Sequence, residues 1–223
     1  MIQWVYEKAS ASGAADVLIA TDDAAIASAA RAFGAEARLT AGHHASGTDR
    51  VAELAALERW PPEDIVVNVQ GDEPLIPPAI IRQVAALLES HPEAALGTLA
   101  TPIESQAELL DPNVVKVVCD ERGRALYFSR APVPWNRDAG AAGPADGKPV
   151  NGARRHVGIY AYRVAALARL ASLEPTALET AEKLEQLRAL GHGMIIQVAD
   201  CEELPGPDVN TPEDLERVAA LMG

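Results

Sequence analysis

Short β-branched runs alternate along this chain with stretches of helical period, and no other feature restricts the possible folds as much. Such alternation is the pattern of βα units, in which parallel strands are joined by helices that cover the sheet. The spacing predicts strands over residues 16–20, 36–39, 65–70, 95–99, 114–119, 155–162 and 194–198, with helices between them. Ile2, Val5, Tyr6 and Ala9 share one helical face and Gly13 follows as a stop signal, so the first recognisable element is a helix. Near the end, Thr211-Pro212-Glu213-Asp214 supplies a capping hydroxyl, a proline for the first helical position and acids for the first turn. The expected architecture is α/β, Rossmann-like, with a mostly parallel sheet.

A chain of 223 residues with 48% hydrophobic content buries a full core, and it reads as one domain over residues 1–223. Within it, residues 131–154 are rich in Pro, Gly and Ala and weak in periodicity, which predicts a long loop between two strands that could close on a ligand. The formal net charge of -13 argues against nucleic acid and against an anionic membrane, since both need a basic face. Any anionic substrate would need local cations or a metal. Cys119 and Cys201 have neither CxxC nor Cys/His ligand spacing and read as free thiols, and no targeting segment is evident, so a cytoplasmic location is expected.

Ligands of open parallel sheets bind beyond the carboxyl ends of the strands. The run Ile65-Val66-Val67-Asn68-Val69-Gln70 leads into Gly71-Asp72-Glu73-Pro74, placing Gln70 and Asp72 at such an end. A carboxylate on a glycine-permitted turn there can bind Mg²⁺, a hard cation often shared with substrate phosphates, or it can simply form the turn. Ser46-Gly47-Thr48-Asp49-Arg50 opens a helix, where hydroxyls, backbone N–H groups and Arg50 could meet an anion; an ordinary cap with a solvated arginine fits the same residues. Alternation puts His156, Gly158, Tyr160 and Tyr162 on one strand face, as a polar-tipped pocket wall or as core. A helix over 177–190 would bury Leu178, Ala181, Leu184 and Leu187, leaving Glu179, Glu182, Glu185, Gln186 and Arg188 outside or at its edges. The sequence has no Gly-x-Ser-x-Gly elbow, no HExxH and no GxGxxG after a strand.

In order along the chain stand ASGTDR, VNVQGDEPLIP, DPNVVKVV, ALYFSRAPVPW, RRHVGIYAYR, LEQLRAL and NTPEDLERV, and this series resembles the CMP-KDO synthetase family, the 3-deoxy-manno-octulosonate cytidylyltransferases. The resemblance spans nearly the whole sequence. It implies a fold of the nucleotide-diphospho-sugar transferase type with a smaller sugar-binding and dimerisation subregion. It further implies transfer of CMP from CTP to KDO with release of pyrophosphate, Mg²⁺ as cofactor, a homodimer, and a place in lipopolysaccharide biosynthesis. By the same resemblance Asp72 and Arg50 are the catalytic candidates, and Asp72 and Asn210 the metal ligands. Ser46, Gln70, Arg130, His156, Tyr160, Glu185 and Gln186 would bind substrate, with Arg130 or Lys116 offsetting substrate charge.

Two departures stand out. Asn210 occupies a position where the family pattern has aspartate, which removes one negative charge and predicts weaker metal binding, with Asp208 placed to compensate through water. The family also has a strand and a phosphate-binding loop ahead of the helix that here begins near Met1. The expectation is therefore an upstream segment of roughly thirty residues. The alternative expectation is a catalytically impaired sugar-binding or dimerising remnant; a CMP-sialate synthetase is the rival within the same class of enzyme.

Overall fold

The computed structural model describes residues 1–44, 46–137 and 152–222. Helix α1 (Ile2–Ser10) ends where expected, at a left-handed Gly13 with φ 88°. Strands β1 (Leu18–Thr21) and β2 (Glu36–Leu39) flank α2 (Ala24–Ala32), whose start is fixed by Asp23 accepting from the N–H groups of Ala25 and Ile26. Then follow α3 (Gly47–Glu58), β3 (Ile65–Asn68), α4 (Pro78–Glu89), β4 (Leu96–Pro102), α5 (Gln106–Leu110) and the pair β5 (Lys116–Cys119) and β6 (Ala125–Ser129). The chain continues through β7 (Arg154–Arg163), α6 (Val164–Ala171), α7 (Ala177–Glu182), α8 (Gln186–Gly191), β8 (Ile196–Asp200) and α9 (Pro212–Met222).

Six strands form the main sheet, in the order β6-β5-β7-β4-β8, with β3 also paired to β7. Strand β7 runs antiparallel to β3, β4 and β5, and β6 runs antiparallel to β5, so β3, β4, β5 and β8 share one direction. The α/β class holds, and the mostly parallel sheet is a mixed one. Two faces are covered. Ile80, Ile81, Val84 and Leu88 of α4 pack on Leu99, Val157, Ile159 and Ala161, and α3, α6 and α8 cover Leu96, Ala100 and Tyr162 on the other side. Each fully buried aliphatic side chain of this kind contributes about 1.5–3 kcal/mol, so α4, with four of them, is the principal cover of its face.

Strands β1 and β2 form a separate parallel pair. Their core with α2 consists of Ile19, Ala27, Ala30, Ala35 and Ala37, against which Ile2, Tyr6 and Phe33 pack. Among the described residues β1 has no strand partner but β2, and β3 none but β7. All four residues of β3 are only half-buried.

Three expectations need correction. Strand β6 is absent from the predicted set, although Asp120 and a left-handed Gly123 build the turn that makes the β5–β6 hairpin. The single helix over 177–190 is two helices broken at Lys183, whose φ of 54° is left-handed. Its faces differ accordingly: Leu178 is 51% exposed, while Glu179, Gln186 and Arg188 are buried. Gly71 is not left-handed; its turn closes through Glu73 N–H donating to the Gln70 carbonyl. The predicted loop over 131–154 lies for the most part outside the described residues.

Candidate active site

The loop after β3 and the N-terminus of α3 meet because Gly47 has no side chain. A Cβ at Gly47 would lie 3.2 Å from Gln70 Nε2 and 3.4 Å from Asn68 Nδ2. Beside this contact lies a cavity of about 200 Å³. Its wall is made by Ser46 and Thr48 at the start of α3, Asn68 and Gln70 at the end of β3, Gly158, Tyr160 and Tyr162 on β7, and Glu185 and Gln186 at the start of α8. Ser46, Gln70, Tyr160, Glu185 and Gln186, predicted from four different places in the sequence, are thus brought to one cavity.

The aromatic face of β7 forms as alternation predicts, in spite of an irregularity. The β4–β7 register shifts between Thr98, opposite Tyr160, and Leu99, opposite Val157. Two residues of β7, Gly158 and Ile159, are therefore inserted, and an insertion of two returns every later side chain to its original face. His156, Tyr160 and Tyr162 stack in series, with ring centroids 5.3 and 5.8 Å apart, and Phe128 meets His156 edge-on. His156 Nε2 is 3.0 Å from Thr98 Oγ1. Burial lowers its pKa to about 3, so at neutral pH the imidazole is uncharged and acts as a hydrogen-bonding group. His156 supports Tyr160 from behind and is not part of the cavity wall. Tyr162 shares a 3.3 Å contact with the Thr48 hydroxyl, and its pKa is raised by burial.

Tyr160 differs from its neighbours. The residue lines the cavity, while its hydroxyl oxygen is closed off from solvent beside Thr98 and has no hydrogen-bond partner of good geometry. An unpaired buried hydroxyl costs about 1–3 kcal/mol, so a ligand group that bonded to it would recover that cost on binding. Ser46 carries both meanings considered from its sequence, since its Oγ accepts from Asp49 N–H as a helix cap while the residue lines the cavity.

A second, acidic group begins two residues beyond Gln70. The Val209 N–H donates to the Asp72 carbonyl at 2.9 Å, which ties the 206–210 segment to the end of β3. Asn210 Nδ2 donates to Asp208 Oδ2 at 2.7 Å, turning the amide nitrogen toward Asp208. Burial and the nearby charges of Asp72 and Asp208 raise the Glu73 pKa to about 7. Among the described residues no three His, Cys, Asp or Glu side chains converge on one point as a metal cage.

The cations take other positions. The Arg50 guanidinium donates to Thr40 Oγ1 at 2.6 Å and lies 3.3 Å from Asp22 Oδ1, at the carboxyl ends of β2 and β1 rather than in the cavity wall. Arg130 donates to the Glu182 and Pro112 carbonyls and does not line the cavity either. Lys116, expected as a substrate cation, is fully buried and donates to the carbonyls of Asp111, Val114 and Arg130, so it serves the fold. The buried Arg188–Glu179 pair, with N···O distances of 2.5–3.1 Å, is a feature sequence reasoning missed. Their spacing of nine residues across a helix break offered no periodic signal.

The Cytidylyltransferase family model matches residues 1–196. The 3-deoxy-manno-octulosonate cytidylyltransferase of Thioalkalivibrio sulfidiphilus is 52% identical over 222 residues, spanning 100% of this chain and 88% of that protein. The enzyme of the same name from Pseudomonas syringae pv. tomato is 57% identical over 226 residues, with 100% and 87% covered. Among solved structures, CMP:2-keto-3-deoxy-manno-octonic acid synthetase complexed with CTP superposes with a TM-score of 0.88 at 40% identity, covering 99% of this chain and 86% of that one.

Proposed function

Because the chain belongs to the cytidylyltransferase family, we propose that it transfers CMP from CTP to 3-deoxy-manno-octulosonate and releases pyrophosphate. The observation that carries this reading is the convergence of Ser46, Gln70, Tyr160, Glu185 and Gln186 on one cavity, with the acidic 72–73 turn two residues beyond Gln70 and the 208–210 segment bonded to that turn. Ser46, Thr48, Asn68, Gln70 and Gln186 offer hydroxyls and amides to the hydroxyls of a sugar, while among the described residues no cation lines the cavity, so the charge of the sugar acid would have to be met outside this wall. The acidic end of the site is where the nucleotide phosphates would meet the sugar.

The donor set there fits Mg²⁺. Asp72 and Asn210 would hold it through oxygen, since the Asn210 amide nitrogen is taken up by Asp208, and Mg²⁺ commonly needs just one or two protein ligands because substrate phosphates and water complete its octahedron. Burial is the main cause of the raised Glu73 pKa, and the charges of Asp72 and Asp208 add the smaller part, which a bound divalent cation would offset. When bound, Mg²⁺ supplies charge neutralisation at the phosphates. What this chain's own residues do is hold the sugar acid between α3, β7 and α8, so that its anomeric hydroxyl attacks the α-phosphorus in line. Positioning of this kind, with no covalent enzyme intermediate, can account for a large share of a phosphoryl-group transfer.

The reading extends to a homodimer and to the cytoplasm. Leu126 and Trp135, 62% and 60% exposed, give apolar surface in support of the first, and the free thiols Cys119 and Cys201 support the second. Pyrophosphate release assayed with CTP and Mg²⁺ tests the central claim. It should require KDO and fail with sialic acid; equal release with sialic acid would refute the assignment of the sugar. Binding of KDO without pyrophosphate release would favour the impaired remnant instead.

A further inference from the structure

We infer that Glu182, a residue outside the cavity, is a positioning residue for the sugar-acid wall, because it fastens the α7–α8 corner to the end of β6. The inference rests on the reading of the cavity given above and deepens it.

Glu182 is the last residue of α7, three positions before Glu185. Its Oε1 accepts from Ser129 Oγ at 2.7 Å and from the Tyr127 hydroxyl at 3.4 Å, and its Oε2 accepts from Arg130 N–H at 2.9 Å. Its carbonyl accepts from Arg130 Nε at 2.7 Å. Backbone and side chain of one residue are therefore both tied to β6. Burial opposes ionisation of this carboxyl, but the bonds from Arg130, Ser129 and Tyr127 outweigh it and hold the pKa below the usual range.

The anchor is itself fixed. Arg130 also donates to the Pro112 carbonyl, and its own carbonyl accepts from the buried Lys116 ammonium at 2.7 Å. Immediately after Glu182 the left-handed Lys183 turns the chain, and the next residues but one, Glu185 and Gln186, form cavity wall. Beyond them Arg188 is locked to Glu179. The corner is thus clamped on both sides, and the clamp at Glu182 sets where Glu185 and Gln186 stand relative to Tyr160 on β7.

A network serving stability alone would touch both substrates equally when cut; a positioning role does not. Glu182→Ala should raise KM for KDO roughly tenfold, a fraction of the hundredfold that a displacement near 1 Å can cost, and leave KM for CTP within about twofold. Glu182→Gln keeps the shape and can still bond to Arg130 N–H and Ser129, so it should recover most of the KDO affinity. Ser129→Ala deletes one bond only and should give the same selectivity at smaller size, which keeps the test open should the alanine variant not fold. Amide hydrogen exchange across residues 183–188, measured without substrates, should quicken in Glu182→Ala. Unchanged exchange there, or equal changes in both KM values, would overturn the inference. If the parent protein releases no pyrophosphate the functional reading fails, while the exchange measurement still decides the clamp.

Discussion

Replacing Gly206 by alanine is the sharpest available test of how the acidic end of the site is built. A Cβ at this position would lie 2.5 Å from Leu75 Cβ and 3.0 Å from the Leu75 carbonyl oxygen. Carbon atoms in contact stand about 3.5–4.0 Å apart, so the 206–210 segment must retreat from the β3 turn by roughly 1 Å. The clash is with backbone and Cβ, which no rotamer change relieves, and Leu75→Ala does not rescue it. A retreat of that size breaks the 2.9 Å bond from Val209 N–H to the Asp72 carbonyl. The lost bond costs about 1 kcal/mol and the overpacking about 1–3 kcal/mol, so a stability loss of about 2–4 kcal/mol is expected in denaturant titration. Catalysis should fall about hundredfold, because Asn210 and Asp208 move away from Asp72. Pyrophosphate release should also need more Mg²⁺ for half-maximal rate. Gly13→Ala is the control: with φ 88° and no atom near its Cβ, it should lose stability without any change in Mg²⁺ dependence. Parent-like Mg²⁺ dependence in Gly206→Ala would refute the argument that this contact assembles the site.

Three other outcomes are expected. Gly158 lines the cavity with open space where a Cβ would go, so Gly158→Val should weaken KDO binding at least tenfold with little change in Tm, as isothermal calorimetry and thermal melts would show. His156, with a folded pKa of about 3 against an ordinary value near 6.5, takes up its proton more readily in the unfolded chain. Its contribution to stability is therefore present above pH 6.5 and lost as pH falls toward 3, and between pH 6.5 and 4.5 it amounts to at most about 3 kcal/mol. His156→Gln should flatten that part of the pH–stability curve, and an unchanged slope would show the imidazole to be solvated. Arg188→Met should destabilise by about 3 kcal/mol in urea titration, since it leaves the Glu179 carboxylate buried and unpaired, and substituting both partners with apolar residues should cost less.

The parts of the fold legible in the sequence are those governed by local periodicity. Strand β2 is found at its predicted limits and β7 within a residue of them, α3 and α9 start at their hydroxyl signals, and α1 ends just ahead of its glycine stop signal. Strand β6 was not legible because ALYFS is short and its core contacts, through Ala125 and Phe128, are made to distant elements. The break at Lys183 was hidden for a similar reason: local pattern favours a continuous helix, and tertiary bonds from Glu182 to β6 and from Arg188 to Glu179 override it. For the site, alternation found the β7 face, and the ordered motifs found the residues of α3, β3 and α8. Arg50 and Arg130 show what sequence could not settle, since their partners Thr40, Asp22, Glu182 and Pro112 are fixed only by packing.

The division of the strands into two sheets has a consequence for motion. Among the described residues, every backbone hydrogen bond made by residues 16–40 stays within that segment, so beyond the continuity of the chain the β1–α2–β2 unit is joined to the rest by side-chain contacts. Arg50, on α3, supplies polar links across the junction through Thr40 and Asp22. A unit attached in this way should open at a lower free energy than the main sheet unfolds. Whatever draws Arg50 away from Thr40 and Asp22 loosens the unit, and whatever bridges the open edges of β1 and β3 tightens it.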